Sequence, residues 1–257
     1  MMITIFDWFG YELSTKKRYS LIKEAGFDGV LMWWSSGVGR GAYKHAPEIA
    51  RQEGLFIENI HGPVMNQHAL SLETLDGHNV YASYIQCIED CADFSIPTLV
   101  LHLPSDDYPI NSLGLDRLSR MAELAEMRNV NIAFENLRNL NNLRVVFNNN
   151  DSTKLGFCYD SGHHQRHYED ISMLDEFGER LMALHLHDNN GVRGQHGLPF
   201  DGPIDWEDTM KKIKTTGYLG HTAIEPMNWA YEVMACEKFL EGAYEKAQVL
   251  DRLRGQV

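Results

Sequence analysis

Short apolar runs alternate along the chain with longer stretches in which apolar residues recur every three or four positions. The short runs predict β-strands, and the longer stretches predict amphipathic helices. The eight predicted strands are Ile3–Trp8, Gly29–Trp34, Phe56–His61, Thr98–Leu103, Asn131–Glu135, Gly156–Asp160, Leu181–His187 and Thr222–Glu225. The predicted helices include Arg18–Ala25, Val80–Phe94, Leu115–Glu126, Trp206–Thr215 and Glu237–Leu253.

Eight consecutive β/α units predict an α/β fold of the closed (β/α)8 TIM barrel type. An open doubly wound sheet would often carry a glycine-rich phosphate turn after its first strand, and residues 6–10 offer none. A chain of 257 residues is ordinary for one such barrel. We therefore expect a single domain over residues 1–257.

The formal net charge is −13, with 44% hydrophobic and 23% charged residues. This balance is typical of a soluble globular chain and counts against a nucleic-acid partner, which would require many phosphates to be neutralised. The first ten residues lack a basic segment, and no apolar run approaches the roughly 18 residues of a membrane span. These features predict a cytoplasmic protein without membrane association. The four cysteines show no metal-site or disulfide spacing, and we assign them no chemistry.

A polar residue able to bind metal or move protons stands at the downstream end of six predicted strands. These residues are His61, His102, Glu135, Asp160, His185 and Glu225, at intervals of 41, 33, 25, 25 and 40 residues. The carboxyl ends of the strands in a TIM barrel meet at one mouth, where the active sites of this architecture lie. The six side chains are therefore predicted to share one site.

Strands 5 to 8 deliver three carboxylates and one imidazole, with no lysine at these strand ends. Such a set would repel itself unless a divalent cation neutralised it, so Glu135, Asp160, His185 and Glu225 are predicted metal ligands. Mixed oxygen and nitrogen donors suit Mn²⁺, Mg²⁺, Co²⁺ or Zn²⁺ alike. A single strand-end carboxylate is more often a helix cap or an ion-pair partner. Four metal-binding side chains at the ends of four consecutive strands favour a functional site.

The remaining candidates would form the wall of the same mouth. His61 and His102 occur in similar contexts and are predicted to face the pocket. Trp8, Trp33 and Trp34 could present apolar faces to a sugar ring. Arg138 and Arg193 are candidates for holding a phosphate or a hydroxyl. Three further histidines are expected to face solvent or to lie behind the ligands, namely His164, His167 and His187.

Short motifs at the ends of strands 5 to 8 carry a family resemblance. They are Phe134-Glu135-Asn136, a DxxH motif from Asp160 to His163, an HxxD motif from His185 to Asp188, and Glu225-Pro226. In this order the chain resembles the xylose isomerase-like barrels, which include sugar and sugar-phosphate isomerases and epimerases as well as endonuclease IV.

The resemblance implies one divalent ion held by Glu135, Asp160, His185 and Glu225, and leaves a second ion open. In the epimerase branch the two glutamates would also transfer a proton beside a carbonyl through an enediolate, and His163 would contact a substrate oxygen. A small-molecule sugar or sugar phosphate is the expected partner. Homo-oligomer formation stays open.

Endonuclease IV is the alternative that the same resemblance offers, as a zinc-dependent phosphodiesterase. Four histidines, His61, His102, His163 and His196, fall where its additional zinc ligands would lie. One position departs from that pattern, because the aspartate expected two residues before His196 is replaced by Gly194. His196 is therefore assigned here to substrate binding, together with His61, His102, Trp33 and Arg193.

Overall fold

Eight parallel strands form the centre of the molecule. The computed structural model describes residues 1–35, 43–104, 108–138, 140–168, 170–191 and 195–255. The strands are β1 Ile3–Phe6, β2 Gly29–Trp33, β3 Phe56–His61, β4 Thr98–Leu101, β5 Asn131–Glu135, β6 Leu155–Asp160, β7 Leu181–His185 and β8 Thr222–Ile224. Their order in the sheet is β7-β6-β5-β4-β3-β2-β1-β8.

The sheet closes on itself between β7 and β8. Leu186, directly after β7, donates its backbone N–H to the Ala223 carbonyl at 3.0 Å, and its own carbonyl accepts from Glu225 at 3.0 Å. The two ends of the strand order therefore meet, and the predicted TIM barrel is confirmed. Closure also fixes Glu225 beside the end of β7.

Helices connect the strands around the outside of this barrel. Those described are α1 Thr15–Ala25, α2 Ala46–Gln52, α3 Leu75–Asp93, α4 Ser112–Arg128, α5 Leu140–Asn149, α6 Ser161–His167, α7 Met173–Phe177, α8 Trp206–Thr215 and α9 Cys236–Gly255. Side-chain caps begin several of them, because an oxygen at the N-cap accepts one of the free N–H groups of the first turn. Ser14 caps α1, Thr74 caps α3, Asn111 caps α4 and Asp205 caps α8.

Several strands end earlier than the apolar pattern predicts. β1 stops at Phe6 rather than Trp8, and β4 stops at Leu101 rather than Leu103. At the end of β1 the side chain of Asp7 accepts the Trp33 N–H at 2.9 Å, where a strand would use a backbone carbonyl. The apolar runs thus continue beyond the last backbone hydrogen bonds of the strands into the loops at the mouth. His102 and Glu225 therefore lie just after β4 and β8 rather than within them.

Small apolar residues fill the barrel one layer below the polar ring. They are Val100, Ala133, Cys158 and Ala183, all at most 1% exposed. Each precedes one of the predicted site residues His102, Glu135, Asp160 and His185 by two positions, and residues two apart in a strand face the same side. The inward face of β4 to β7 therefore carries a dry layer and then the polar ends.

Candidate active site and metal centre

Four predicted metal ligands meet at the carboxyl end of the barrel. Glu135, Asp160 and His185 end β5, β6 and β7, and Glu225 follows β8. Their exposed fractions are 3%, 0%, 0% and 5%. Glu135 Oε2 and Glu225 Oε2 lie 3.1 and 3.0 Å from His185 Nδ1. Donor atoms of Asp160, His185 and Glu225 all lie within 4.8 Å of one another.

Asn136 and the first turn of α6 fix the orientation of Asp160. The Asn136 side chain accepts the Asp160 N–H at 2.7 Å and donates to the Asp160 carbonyl at 2.8 Å, which ties the ends of β5 and β6 together. Asp160 Oδ1 then caps α6 by accepting the His163 N–H at 2.7 Å. Oδ2 lies 3.4 Å from His163 Nδ1. Asn136 is thus a positioning residue for Asp160. The Phe134-Glu135-Asn136 motif contains it but does not predict this role.

The carboxylates of the site stay ionised because imidazoles surround them. Burial disfavours the charged form of Glu135, but the nearby histidines, His102 foremost, hold the pKa of its carboxyl well below its usual range. The pKa of Asp160 is likewise lowered, since His163 and His187 outweigh its desolvation. His163 responds in the opposite sense, and Asp160 and Glu135 raise its pKa to about 9 against burial.

His61 and His102 both direct Nε2 at Glu135 Oε2, each at 3.3 Å. His61 Nδ1 lies 2.9 Å from the Gly62 carbonyl, which can only accept, so this nitrogen carries a proton. The lone pair of Nε2 then faces the Glu135 carboxylate, and a cation between the two groups would stabilise this contact.

The donor set fits a divalent cation. No lysine or arginine pairs with Glu135, Asp160 or Glu225 among the described residues, and imidazoles supply the positive charge around them. A buried cluster of three carboxylates and several imidazole nitrogens offers the oxygen and nitrogen donors that Mn²⁺, Co²⁺ or Zn²⁺ accept. The Cys158 thiol lies against Glu135 and His185, but burial raises its pKa to about 12 and it stays protonated.

His187 lies behind the predicted ligand Asp160, which is one of the two placements that the sequence predicts for it. It is 0% exposed rather than solvent-facing, and Nε2 lies 3.0 Å from Asp160 Oδ1. Its ring stacks on His196 with centroids 3.9 Å apart. Residues 185 and 187 share a face, so strand alternation is the signal that could have found it. His164 is also engaged, between the Tyr159 hydroxyl at 2.7 Å and the Ile171 carbonyl at 2.8 Å.

Asp188, the last residue of the HxxD motif, holds a loop rather than joining the ligand cluster. Its carboxylate accepts the indole N–H of Trp206 at 2.9 Å and the backbone N–H groups of Asn189 and Phe200 at 3.1 Å each. The loop it anchors carries His196, whose Nδ1 lies 3.1 Å from the Glu225 carbonyl. Burial foremost lowers the pKa of His196 to about 4, so its ring is neutral with Nε2 free to accept.

A cavity of about 330 Å³ stands above the ligand cluster. It is lined by Phe6, Trp8, Trp33, His61, Val64, His102, Glu135, His163, His196, Glu225, Met227 and Trp229. Trp33 stacks on His61 with ring centroids 5.2 Å apart. Trp229, which the sequence analysis did not single out, lies at the rim and is 51% exposed. The cavity thus combines a charged floor with aromatic walls.

Two predicted wall residues lie elsewhere. Trp34 is 2% exposed in the core and donates its indole N–H to Asp90 at 2.8 Å, because adjacent strand residues face opposite sides. Arg138 is exposed on the loop after β5 and does not line the cavity. Arg193 and Gly194 lie outside the described residues.

Comparisons with known proteins identify the family and the fold. A model of the xylose isomerase-like TIM barrel family matches residues 19–246. An uncharacterized protein of Sinorhizobium fredii is 28% identical over 84% of this chain and 83% of its own length.

Two solved structures share the fold. D-psicose 3-epimerase from Clostridium cellulolyticum H10, solved with D-tagatose, is 18% identical with a TM-score of 0.75, over 100% of this chain and 99% of that one. The IolI protein with a bound zinc atom is 15% identical with a TM-score of 0.79, over 97% and 98%. No helix among the described residues is long and apolar enough to span a membrane.

Proposed function

This chain belongs to the xylose isomerase-like TIM barrel family, and within that family we propose that it is a divalent-metal-dependent isomerase or epimerase of a small sugar or sugar phosphate. The observation that carries the proposal is the meeting of Glu135, from the end of β5, with Glu225, which follows β8. Both carboxylates reach His185 Nδ1 within 3.1 Å on the floor of a cavity with aromatic walls. Two ionised carboxylates in one pocket are suited to removing and returning a proton.

In the proposed reaction one glutamate removes the proton from the carbon beside a carbonyl. The resulting enediolate takes a proton from the other glutamate, which has first been protonated by solvent, and delivery to the opposite face of the same carbon gives an epimer. Delivery to the neighbouring carbon, with the hydroxyl proton moving between the two enediolate oxygens, gives an isomer. His163 stands 3.0 Å from Glu135 Oε1 and lines the cavity, where its protonated ring can donate to a substrate oxygen. A proton donor near the developing enediolate oxygen would lower the barrier.

The ion would be held by Glu135, Asp160, His185 and Glu225, whose donor chemistry fits it. When bound, it would supply Lewis-acid polarisation of the carbonyl. The mixed oxygen and nitrogen donors suit Mn²⁺, Zn²⁺, Co²⁺ and Mg²⁺ alike. Substrate binding is assigned to His61, His102, Trp33 and His196 on the cavity wall, and to Arg193 from the sequence.

The named relatives support this class of reaction. One is a sugar 3-epimerase and another binds zinc, and the family that the chain belongs to takes its name from a sugar isomerase. At identities of 18% and 15% the two solved structures support the fold only. The proposed activity therefore rests on the geometry of the cavity. A single domain, a cytoplasmic location and the oligomeric state stay predictions.

Metal content followed by proton exchange tests the proposal. Elemental mass spectrometry of protein purified without added metal should find about one Mn, Co, Zn or Mg per chain, by the ligand count of the site. The loaded protein is then incubated in D₂O with a panel of ketoses and ketose phosphates, and deuterium on the carbons beside the carbonyl is followed by NMR. Deuterium incorporation together with a new epimer or isomer is expected. A loaded protein that exchanges no proton in any of them contradicts the proposal.

Phosphodiester cleavage is the second candidate, and one observation favours it. His61, His102 and Glu135 form a separate donor group within 4.8 Å, so a second cation has a place beside the first. Gly194 and the formal charge of −13 oppose a three-zinc nuclease acting on DNA. Two or three zinc ions per chain together with cleavage of abasic DNA would favour this alternative.

A further inference from the structure

A second cavity, of about 710 Å³, opens at the amino ends of the strands, opposite the catalytic mouth. It is lined by Met2, Arg51, Gly54, Leu55, Phe56, Ile57, Glu58, Ser95, Pro97, Thr98, Met182, Tyr218, Gly220 and His221. Its volume lies within the range of small-molecule sites, roughly 300 to 1,000 Å³. The amino-end face of a TIM barrel usually serves stability rather than chemistry. We call it the amino-end cavity.

Glu58 is the charged group at its base. The residue is 8% exposed, and Oε2 accepts a hydrogen bond from the Thr4 hydroxyl at 2.5 Å. No lysine, arginine or histidine of the described residues forms an ion pair with it. Burial raises the pKa of its carboxyl, and this effect outweighs the Thr4 hydroxyl and the backbone and ring of His221, which favour the charged form. A buried carboxylate of this kind is stabilised by any cation that reaches it.

Two further polar atoms of this cavity lack partners. The Tyr218 hydroxyl and His221 Nδ1 are buried and form no hydrogen bond, and Tyr218 as a whole is 9% exposed. Most buried polar atoms in proteins have a partner, so two atoms without one, beside a carboxylate that forms no ion pair among the described residues, indicate a place for a polar ligand. The Phe56 ring packs edge-on against His221 with centroids 5.0 Å apart.

These groups select the chemistry of the ligand. Glu58 repels an anion, and one carboxylate with one imidazole offers too few donors to hold a metal ion on protein ligands alone. Arg51 also lines the cavity, but its guanidinium donates to the Phe94 carbonyl. Met2, Phe56 and Met182 supply apolar surface beside the polar base.

We propose that the amino-end cavity binds the protonated primary amino group of a small molecule with an apolar body. The ammonium group pairs with Glu58 and donates to the Tyr218 oxygen or to His221 Nδ1. The apolar body packs against Phe56 and the two methionines. This site is separate from the proposed sugar site and does not depend on its activity.

Benzylamine, compared with benzyl alcohol, is the probe that tests this. The two share shape and aromatic body and differ in charge at neutral pH. Isothermal titration calorimetry of the full chain should show benzylamine binding at least about tenfold more tightly, a difference of roughly 1.4 kcal/mol. Equal affinities for the two compounds, or no benzylamine binding up to about 10 mM, would overturn the proposal.

Variants locate the binding, because carboxylates at the catalytic mouth could also attract an amine. Glu58→Gln keeps the shape and the acceptor for Thr4, and it should reduce benzylamine affinity to that of benzyl alcohol. Tyr218→Phe removes a hydroxyl that no hydrogen bond holds, so the fold is retained, and affinity should fall about threefold for one lost polar contact. Glu48→Gln, an exposed carboxylate on α2, is the matched control and should bind as the wild type does. Undiminished binding by both Glu58→Gln and Tyr218→Phe would place the amine elsewhere and refute the site.

Discussion

The two halves of the barrel contribute different chemistry to the same mouth. Strands β5 to β8 end in the carboxylates Glu135, Asp160 and Glu225 and in His185, all at most 5% exposed. Strands β1 to β4 end in aromatic and imidazole rings, which are Phe6, Trp8, Trp33, His61 and His102. The later half can therefore hold a cation and move protons, whereas the earlier half supplies the aromatic wall that we propose packs against a substrate.

Asp7 sharpens this contrast, because it is a buried strand-end carboxylate in the earlier half. It is 6% exposed and accepts the Tyr19 hydroxyl and the Trp33 N–H, each at 2.9 Å. Asp160 in the later half instead faces His163 and His187. The contacts of Asp7 with a hydroxyl and a backbone N–H indicate a structural role. The imidazoles and carboxylates around Asp160 instead make it a candidate metal ligand.

The largest effect is expected from Glu225→Gln, which removes one proposed proton-transferring group and one ligand oxygen while preserving shape. Turnover of the substrate found in the ketose panel should fall by roughly 10²- to 10⁴-fold, the usual contribution of a general acid or base. Circular dichroism should remain unchanged. Glu232→Gln, an exposed glutamate on the following loop, is the control and should keep full activity. Full activity in Glu225→Gln would remove this residue from the mechanism.

The second test compares Asp160 with Asp7, and its readout is ion binding rather than turnover. Mn²⁺ or Zn²⁺ at about 100 times its dissociation constant should stabilise the folded protein by about 2.7 kcal/mol, measured as a rise in Tm. Asp160→Asn should lose most of this rise, although asparagine still caps α6 nearly as well as aspartate does. Asp7→Asn should keep the rise. Equal responses of the two variants would contradict the division between the halves.

The barrel could be predicted from the sequence because its signals are local. Apolar runs alternate with amphipathic stretches eight times, and eight parallel strands connected by helices close into a (β/α)8 barrel. The strand ends were less accurate, since Trp8 and Leu103 continue the apolar pattern beyond the last ladder hydrogen bond. The polar ring was predictable as a set because the carboxyl ends of all strands meet at one mouth.

Which side chains line the mouth depends on the direction in which each one leaves its strand. Trp33 and Trp34 are adjacent and cannot both face the cavity, so alternation excludes one of them. The same rule places His187 on the face of His185. By contrast, the motifs contain Asn136 and Asp188, but their roles depend on hydrogen bonds to residues distant in sequence, which no local pattern predicts.

Trp33→Ala tests the wall half of the comparison and should have a smaller effect. The indole lines the cavity and stacks on His61, so its loss removes apolar contact with the substrate rather than a reacting group. KM should rise about tenfold, equivalent to roughly 1.4 kcal/mol, with kcat changed by less. Trp33→Phe retains an aromatic face and should restore most of the affinity. A fall in kcat with unchanged KM would instead assign Trp33 to the chemistry.

The smallest effect is expected for the stability of Asp7→Asn, measured by urea unfolding without added metal. The variant keeps one oxygen to accept a hydrogen bond but loses the negative charge that strengthens the contacts with Tyr19 and Trp33. A hydrogen bond to a charged group contributes about 1.5 to 3 kcal/mol, so replacing it by a neutral one should cost about 1 kcal/mol. If Asp7→Asn is as stable as the wild type, the carboxylate is not retained for these contacts. The structural role that we assign to Asp7 would then be wrong.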